Sequence, residues 1–114
     1  VLDPFLGTGT TTKAALCSER NSIGFERDDT LSELIDKGIR ESRDFYNNYV
    51  EERLVKHSEF IKTRIESGKE AKYKLNNHKG FCVSSQEVDI VLNKISDIEI
   101  SSSGYKALYE PLGR

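Results

Sequence analysis

The residues best suited to chemistry stand at the start of the sequence, where an acid, a proline and an aromatic residue precede two closely spaced glycines. Residues 3–12 have the sequence DPFLGTGTTT. Gly7 and Gly9 lack a Cβ, so a ligand can approach the backbone there without a clash. The helix predicted for residues 11–18 would offer free N–H groups and the positive end of its dipole. These features favour binding of a negatively charged group.

The elements around this turn form a recognisable order. Val1 and Leu2 can finish a buried strand, and Ser22–Phe25 predicts a second short strand that ends in Glu26. A strand, glycine turn, helix and strand that close on an acid are the order that binds adenosine-containing cofactors. Glu26 would then lie at the strand tip, where a carboxylate can accept hydrogen bonds from both ribose hydroxyls.

Two common nucleotide motifs do not fit the turn. A P-loop needs glycine where Thr12 stands, and Lys13 is followed by Ala14 instead of serine or threonine. The dinucleotide motif needs a third small residue, again at Thr12. The alternative is an ordinary strand–turn–helix corner whose glycines serve only the turn. The Asp-Pro-Phe run and the acid closing the next strand favour the cofactor site.

The segment Asp3–Thr11 resembles a family motif, the S-adenosylmethionine motif of DNA methyltransferases that modify exocyclic amino groups, usually written DPFxGSGTT. Thr8 stands where serine is commoner, which keeps the hydroxyl. The run SIGFE at residues 22–26 is similar to the segment that follows this motif in the family. The resemblance covers residues 1–28, about a quarter of the chain.

The resemblance implies a cofactor, S-adenosylmethionine, and a set of residues that bind it. Asp3, Phe5 and the backbone of Gly7–Thr10 would surround the methionine part, Thr10 or Thr11 would reach its carboxylate, and Glu26 would hold the ribose. The complete set of expected cofactor-binding residues is Asp3, Pro4, Phe5, Gly7, Thr8, Gly9, Thr10, Thr11 and Glu26. The implied activity is methyl transfer to an amino group of adenine or cytosine in DNA, as in restriction-modification.

A second motif of the family, Asp-Pro-Pro-Tyr or Ser-Pro-Pro-Tyr, grips the flipped base and does not occur in this sequence. Pro4 and Pro111 are the only prolines, and neither lies in such a run. We therefore expect no catalytic residue here and no methylation by this chain alone. The sequence lacks methionine and starts inside a strand. We expect the C-terminal, cofactor-binding part of a larger protein, with the N-terminal catalytic part in cis or on a second chain. DNA would be bound through the complete enzyme.

The middle of the sequence predicts helix over roughly residues 30–67. Thr30 can cap it, with Glu33 three residues on, and Gly68 can end it. The stretch is either one long helix or two helices with a bend near residues 56–58. Its apolar residues recur at helical spacing and are expected in the core, although their aromatic members could also stack on bases. They are Leu31, Leu34, Ile35, Ile39, Phe45, Tyr46, Tyr49, Val50, Leu54, Phe60, Ile61 and Ile65.

The last third predicts mixed structure. We expect a short strand at Phe81–Val83 and then a helix capped by Ser84 or Ser85, with Val88, Val91, Leu92 and Ile95 on one face. A strand at Ile98–Ile100 would pair with Tyr105–Tyr109 as a hairpin. No family motif is recognisable here, which suggests a part specific to this protein.

These elements predict the α/β fold class. The fold would consist of a partial Rossmann-like S-adenosylmethionine-dependent methyltransferase sheet, followed by a long helical and a small α+β C-terminal extension. The predicted divisions are 1–28 for cofactor binding, 29–75 for the helical segment and 76–114 for the extension, all in one domain of a larger protein.

Charge and composition restrict the remaining classes. A net charge of −2 gives no global attraction to nucleic acid. Residues 51–80, however, hold eight basic against five acidic residues, either a phosphate contact or a solvated helix end. Cys17 and Cys82 suggest neither a disulfide nor a metal site, and we expect Cys17 to be buried. His57 and His78 have no partners at ligand spacing.

Location and function class complete the expectations. No apolar run is long enough to span a membrane, so we expect the cytoplasm. A methyltransferase acting on RNA or a small molecule, and a non-enzymatic helical interaction module, remain alternatives.

Overall fold

The computed structural model describes residues 1–112, which form two α-helices and three two-stranded sheets. In chain order the elements are β1 (Leu2–Asp3), α1 (Thr10–Cys17), β2 (Ile23–Gly24), α2 (Ser32–Glu66), β3 (Tyr73–Lys74), β4 (Phe81–Cys82), β5 (Asn93–Ser101) and β6 (Gly104–Pro111). This mixture agrees with the predicted α/β class. In the described part of the chain, no helix combines the length and apolar character needed to cross a membrane.

The first compact unit contains residues 1–46 and 95–109. Its strands β1 and β2 are parallel, with Leu2 opposite Ile23 and Asp3 opposite Gly24. Since parallel neighbours need a crossover, α1 and the turn before it connect them. The predicted strand–turn–helix–strand order is therefore confirmed, with element ends shifted by one or two residues.

The core of this unit lies where α1, α2 and the β5–β6 pair meet. Leu16, Ile35 and Ile39 are buried together, and Ile98 and Ala107 pack against them. Two tyrosine hydroxyls add hydrogen bonds over long sequence distances. That of Tyr109 donates to the Leu16 carbonyl oxygen at 2.6 Å, and that of Tyr105 donates to Asp36. The strand pair thus holds the two helices of the unit together.

Helix α2 confirms the predicted long helix, as a single element without division near residue 56. Its start differs from the prediction, because Asp28 and not Thr30 acts as the cap. The Asp28 carboxylate accepts the Thr30 N–H at 3.0 Å and closes a short 3-10 turn, Asp29–Leu31, before α2 begins. Gly68 follows the end as predicted, with φ of +82° and its N–H donating to the Ile65 carbonyl oxygen.

The core prediction for α2 is correct for only part of its apolar stripe. Ile35, Ile39, Val50 and Ile61 are buried. The prediction is wrong for a second group, whose side chains are exposed: Leu34, Phe45, Tyr49, Phe60 and Ile65. The sequence period marks an apolar face, but the neighbouring elements cover only one narrow line of it.

The second compact unit contains residues 47–94 and continues from residue 110. Strands β3 and β4 are antiparallel, with Tyr73 opposite Cys82 and Lys74 opposite Phe81, so the predicted strand near Phe81 is confirmed. The loop between them is fixed by the Leu75 N–H, which donates to the Gly80 carbonyl oxygen at 3.0 Å.

The helix predicted after Ser84 is wrong. The Ser84 hydroxyl and the Glu87 side chain do form the expected capping box, but it closes only the 3-10 turn Ser85–Glu87. Val91 and Ile95 are β-branched, which favours extended backbone, and β5 pairs with β6. The predicted strands at Ile98–Ile100 and Tyr105–Tyr109 lie inside this pair and are confirmed.

Candidate cofactor site

The first part of the predicted site, Asp3-Pro4-Phe5, is fixed against the end of β2 by hydrogen bonds. The Asp3 carboxylate accepts the Phe5 N–H at 3.0 Å, an arrangement in which an aspartate closes a turn on its own backbone. The Asp3 carbonyl oxygen accepts the Phe25 N–H at 2.9 Å, and the Leu6 N–H donates to the Phe25 carbonyl oxygen at 2.9 Å. The turn therefore leaves β1 in one defined direction.

The two glycines of the turn have different structural roles. Both have positive φ, +61° at Gly7 and +86° at Gly9, where other residues are strained. A Cβ on Gly9 would lie 3.2 Å from Cγ2 of Ile35, whereas one on Gly7 would meet nothing within 4 Å. The missing side chain at Gly7 therefore leaves open space beside the backbone. The missing side chain at Gly9 instead allows α2 to pack closely.

The N-terminus of α1 is capped by Gly9, which supplies no side-chain hydrogen bond. The first N–H groups of a helix have no carbonyl partner within it, and those of Thr10, Thr11 and Thr12 occupy these positions. Thr10 is exposed, Thr11 is half-buried and Thr12 is buried. The turn thus offers backbone donors to an anionic group, with hydroxyls beside them.

Glu26 joins the strand end to the glycine turn. Its Oε2 accepts the Gly7 N–H at 2.6 Å and its Oε1 accepts the Asp28 N–H at 2.9 Å. These backbone donors, that of Asp28 first and then that of Gly7, hold the pKa of the Glu26 carboxyl below its usual value. The group is therefore an ionised acceptor at neutral pH, with acceptor capacity left on both oxygens.

The remaining predicted residues stand at the surface around this turn. Phe5 is 88% exposed, and Pro4 and Thr8 are exposed too. A cavity of about 470 Å³ in the same unit is lined by Leu6, Thr12 and Gly24, but not by Gly7, Gly9 or Glu26. Most of the predicted residues therefore lie at or near the surface and outside this cavity, whereas Gly9 is buried.

Asp28 is a residue of this region that the sequence interpretation did not include. Its N–H holds Glu26, and its carboxylate accepts both the N–H and the hydroxyl of Thr30. The Asp-x-Thr spacing after the strand was the available signal, since aspartate commonly bonds the backbone two residues on.

The histidines and cysteines make contacts within the fold. His57 Nε2 lies 2.8 Å from the Phe81 carbonyl oxygen, and His78 Nε2 accepts the Leu92 N–H at 2.9 Å. Cys17 and Cys82 are free thiols, as expected, although Cys17 is only half-buried. Within residues 1–112, no three His, Cys, Asp or Glu side chains are grouped so as to hold a metal ion.

Comparison with known proteins agrees with this geometry. Residues 1–37 match the family described as DNA methylase. The chain is 46% identical over 92 residues to the type II methyltransferase M.MthZI of Methanothermobacter thermautotrophicus, which covers 81% of this chain and 24% of that protein. The resemblance to DNA amino-methyltransferases is confirmed. A second relative, the type II methyltransferase M.MjaI of Methanocaldococcus jannaschii, is 58% identical over 45 residues, or 38% of this chain and 15% of that protein.

The extent of these matches adds two facts. The chain spans about a quarter or less of the length of the curated relatives. The 92 residues aligned with the first relative exceed the 37 of the family match by 55, so much of the extension is shared and is not specific to this protein. No solved structure matches the chain.

Proposed function

We propose that this chain is the S-adenosylmethionine-binding part of a DNA methyltransferase that methylates an exocyclic amino group of adenine or cytosine. The observation that carries the proposal is the position of Glu26, whose ionised carboxylate is held on the Gly7 N–H at 2.6 Å beside a helix start that no side chain caps. A ribose acceptor and anion-binding donors thus stand on adjoining parts of one turn.

The residues suit the cofactor part by part. Glu26 accepts hydrogen bonds from the ribose hydroxyls. The backbone at Gly7 admits the ligand, because a side chain there would occupy open space. The free N–H groups and hydroxyls of Thr10 and Thr11 receive the carboxylate of the methionine part. Asp3, Pro4, Phe5, Thr8 and Gly9 complete the surface around it.

S-adenosylmethionine supplies a methyl group on a sulfonium centre, and the residues of this chain bind and orient it. The target base has to leave the helical stack before its amino nitrogen can be reached. Most of the rate enhancement then comes from alignment of the reacting groups, with little covalent chemistry from the protein. The residues that grip the base belong to the catalytic part of the enzyme.

The short parallel pair β1–β2 supports the need for that further part. Val1, Leu2, Ile23 and Phe25 are each more than half exposed, although parallel sheets are normally covered on both faces. Two strands are also too few for a stable sheet. We propose that strands of the N-terminal catalytic part, in cis or on a second chain, complete a Rossmann-like sheet here, and that the enzyme acts in the cytoplasm as half of a restriction-modification pair.

Cofactor binding tests the proposal most directly. In the assembly of this chain with its catalytic part, Glu26→Ala should weaken S-adenosylmethionine binding at least about tenfold, the scale of a lost charge-assisted hydrogen bond. Glu59→Ala, at an exposed position of α2 in the second unit, is the matched control and should bind normally. Calorimetry showing equal affinity for both folded variants would remove Glu26 from the site.

The substrate is tested with a labelled methyl group. The purified 114 residues should transfer none to mixed-sequence DNA, whereas addition of the catalytic part should start transfer. Label in RNA or a metabolite, but not in DNA, would support the alternative substrates. A turn that stays empty at saturating cofactor, in either preparation, would favour an interaction module.

A further inference from the structure

One stretch of the second unit, residues 60–82, carries more positive charge than its own carboxylates balance. Residues 60–82 contain six basic and two acidic residues. Of the basic ones, Lys72 lies 3.8 Å from Glu70, and Arg64 donates to the Glu70 carbonyl oxygen at 2.9 Å. The other four are exposed and, within residues 1–112, have no carboxylate within ion-pair distance. This lysine set is Lys62, Lys69, Lys74 and Lys79.

The preceding part of α2 shows that such imbalance is not general. Residues 33–59 hold five basic and seven acidic residues. Lys37 lies 3.9 Å from Glu41 and Lys56 lies 3.8 Å from Glu52, both four residues apart on the helix. Two of the five basic residues there are thus paired with a carboxylate one helical turn away, and the acidic residues outnumber the basic ones. The lysine set follows a different pattern, with four exposed positive charges and no carboxylate partner among residues 1–112.

The backbone that carries the lysine set is held in place. The Lys69 N–H donates to the Arg64 carbonyl oxygen at 3.1 Å, which closes the end of α2. Leu75, His78 and Cys82 are buried beneath the β3–β4 pair. Because neighbours across the pair share a face, Lys74 stands with Phe81 on the side opposite Cys82. The hydrogen bond from Leu75 to Gly80 brings the backbone positions next to Lys74 and Lys79 together.

The arrangement fits a repeating anion better than a compact one. The lysines come from a helix end, a connecting loop, a strand and a hairpin loop, each as a single charge on a flexible stem. A small anion would need them in one cradle, whereas a duplex offers one phosphate charge per about 1.7 Å of its axis. Contacts of this kind fix the protein on DNA without reading its sequence.

We infer that Lys62, Lys69, Lys74 and Lys79 contact the phosphate backbone of duplex DNA. The inference rests on the proposed function, since it assigns part of the DNA-binding surface of that enzyme. The surface lies in the second unit and contains none of the residues proposed for the cofactor.

Salt titration of DNA binding tests the assignment. The full 114-residue chain is mixed with a fluorescent mixed-sequence duplex, and the logarithm of the affinity is followed against the logarithm of salt concentration. Four simultaneous changes, Lys62→Gln, Lys69→Gln, Lys74→Gln and Lys79→Gln, should reduce the slope by about 3–4 and weaken low-salt binding more than about tenfold. The same four positions changed to arginine should keep both, because the charge is kept.

The control carries an equal loss of charge in the first unit, with Lys13, Lys37, Arg40 and Lys106 each changed to glutamine; it should leave the slope near that of the unchanged chain. Circular dichroism checks that all variants are folded. Equal slopes for the two glutamine variants, or tighter binding to an RNA duplex than to DNA, would overturn the inference. Cofactor affinity is measured in parallel, so normal cofactor binding with no effect of the lysine set would contradict this inference and leave the proposed function standing.

Discussion

Two turns of this molecule use similar polar residues in opposite ways. In the first unit, the turn before α1 keeps Phe5 at the surface and leaves the N–H groups of Thr10 and Thr11 without helix acceptors. In the second unit, the loop between β3 and β4 places Leu75 and His78 in the interior, where His78 Nε2 accepts the Leu92 N–H.

The two asparagine side chains of the second loop make hydrogen bonds within the second unit. The Asn76 amide donates to the Asp89 carboxylate at 2.6 Å, and the Asn77 amide donates to the Asp89 carbonyl oxygen at 3.2 Å. Both turns are held by hydrogen bonds, but the first retains backbone donors and open space at Gly7. Unused backbone donors beside an ionised acceptor distinguish a turn whose backbone can bind a ligand from one whose backbone is used within the fold.

The largest effect on stability should come from adding a side chain to the first turn at Gly9. Gly9→Val introduces a branched side chain at a φ of +86° and against Ile35. The free energy of unfolding should fall by about 2–4 kcal/mol, from overpacking and from the left-handed conformation. Chemical denaturation of the full chain measures it.

Two further variants separate the causes of that loss. Ile35→Ala removes the atoms that the new side chain meets, so the double variant should lose less than the sum of the two single changes. Gly7→Asn adds a side chain where space is open, and asparagine tolerates positive φ, so it should fold and yet bind cofactor poorly. Full additivity, or a more stable Gly9→Val chain, would show that Gly9 does not serve packing.

A medium effect is expected in the second turn. Asn76→Ala removes the hydrogen bond to Asp89, an exposed contact, and should reduce the free energy of unfolding by about 0.5–1 kcal/mol. Cofactor affinity should not change, since the loop is a structural element. A double-mutant cycle with Asp89→Ala isolates the pair. A change in cofactor affinity with stability intact would mean that the two turns do not differ as described.

The smallest effect is expected in the stability of the fold at acidic pH. The Glu26 carboxyl has a folded-state pKa below its ordinary value of 4.5, so the stability it contributes is present above that value and is lost as the pH falls through the folded pKa. Glu26→Gln should therefore show a shallower loss of stability below about pH 4.5 than the unchanged chain. Unfolding curves at a series of acidic pH values provide the comparison. Parallel curves for the two proteins would show that the N–H bonds to Glu26 carry no preference for the charged form.

The sequence was most informative where structure depends on near neighbours. The turn at Gly7 and Gly9, the strand ending before Glu26 and the length of α2 follow from local backbone preferences and a sustained helical period. The predicted site residues were thereby placed on one turn. The hydrogen bond from Gly7 to Glu26 fits the same interpretation, because the strand order already brings those residues together.

The sequence predictions are wrong where contacts with residues distant in the chain determine the local structure. Ser84 caps a turn as its sequence suggests, yet the pairing of β5 with β6 replaces the helix expected around Val91. Local period cannot reveal that pairing. The same limit explains Phe45 and Tyr49, whose spacing matches the core face although no neighbouring element covers them. The close approach of Ile35 to Gly9 could not be predicted from the sequence either, because it depends on how α2 packs against the turn.

The hydrogen bond from the Tyr109 hydroxyl to the Leu16 carbonyl oxygen spans 93 positions of the chain. The first unit is therefore assembled from two separated stretches, and residues 47–94 of the second unit must be synthesised before the first can be finished. On a ribosome, the glycine turn would leave the exit tunnel long before β5 and β6 arrive to cover Ile39. Closing so long a loop slows folding more than it reduces stability. The cofactor surface should thus be among the last parts of this chain to mature, and truncation near its C-terminus should affect a binding site encoded at the other end.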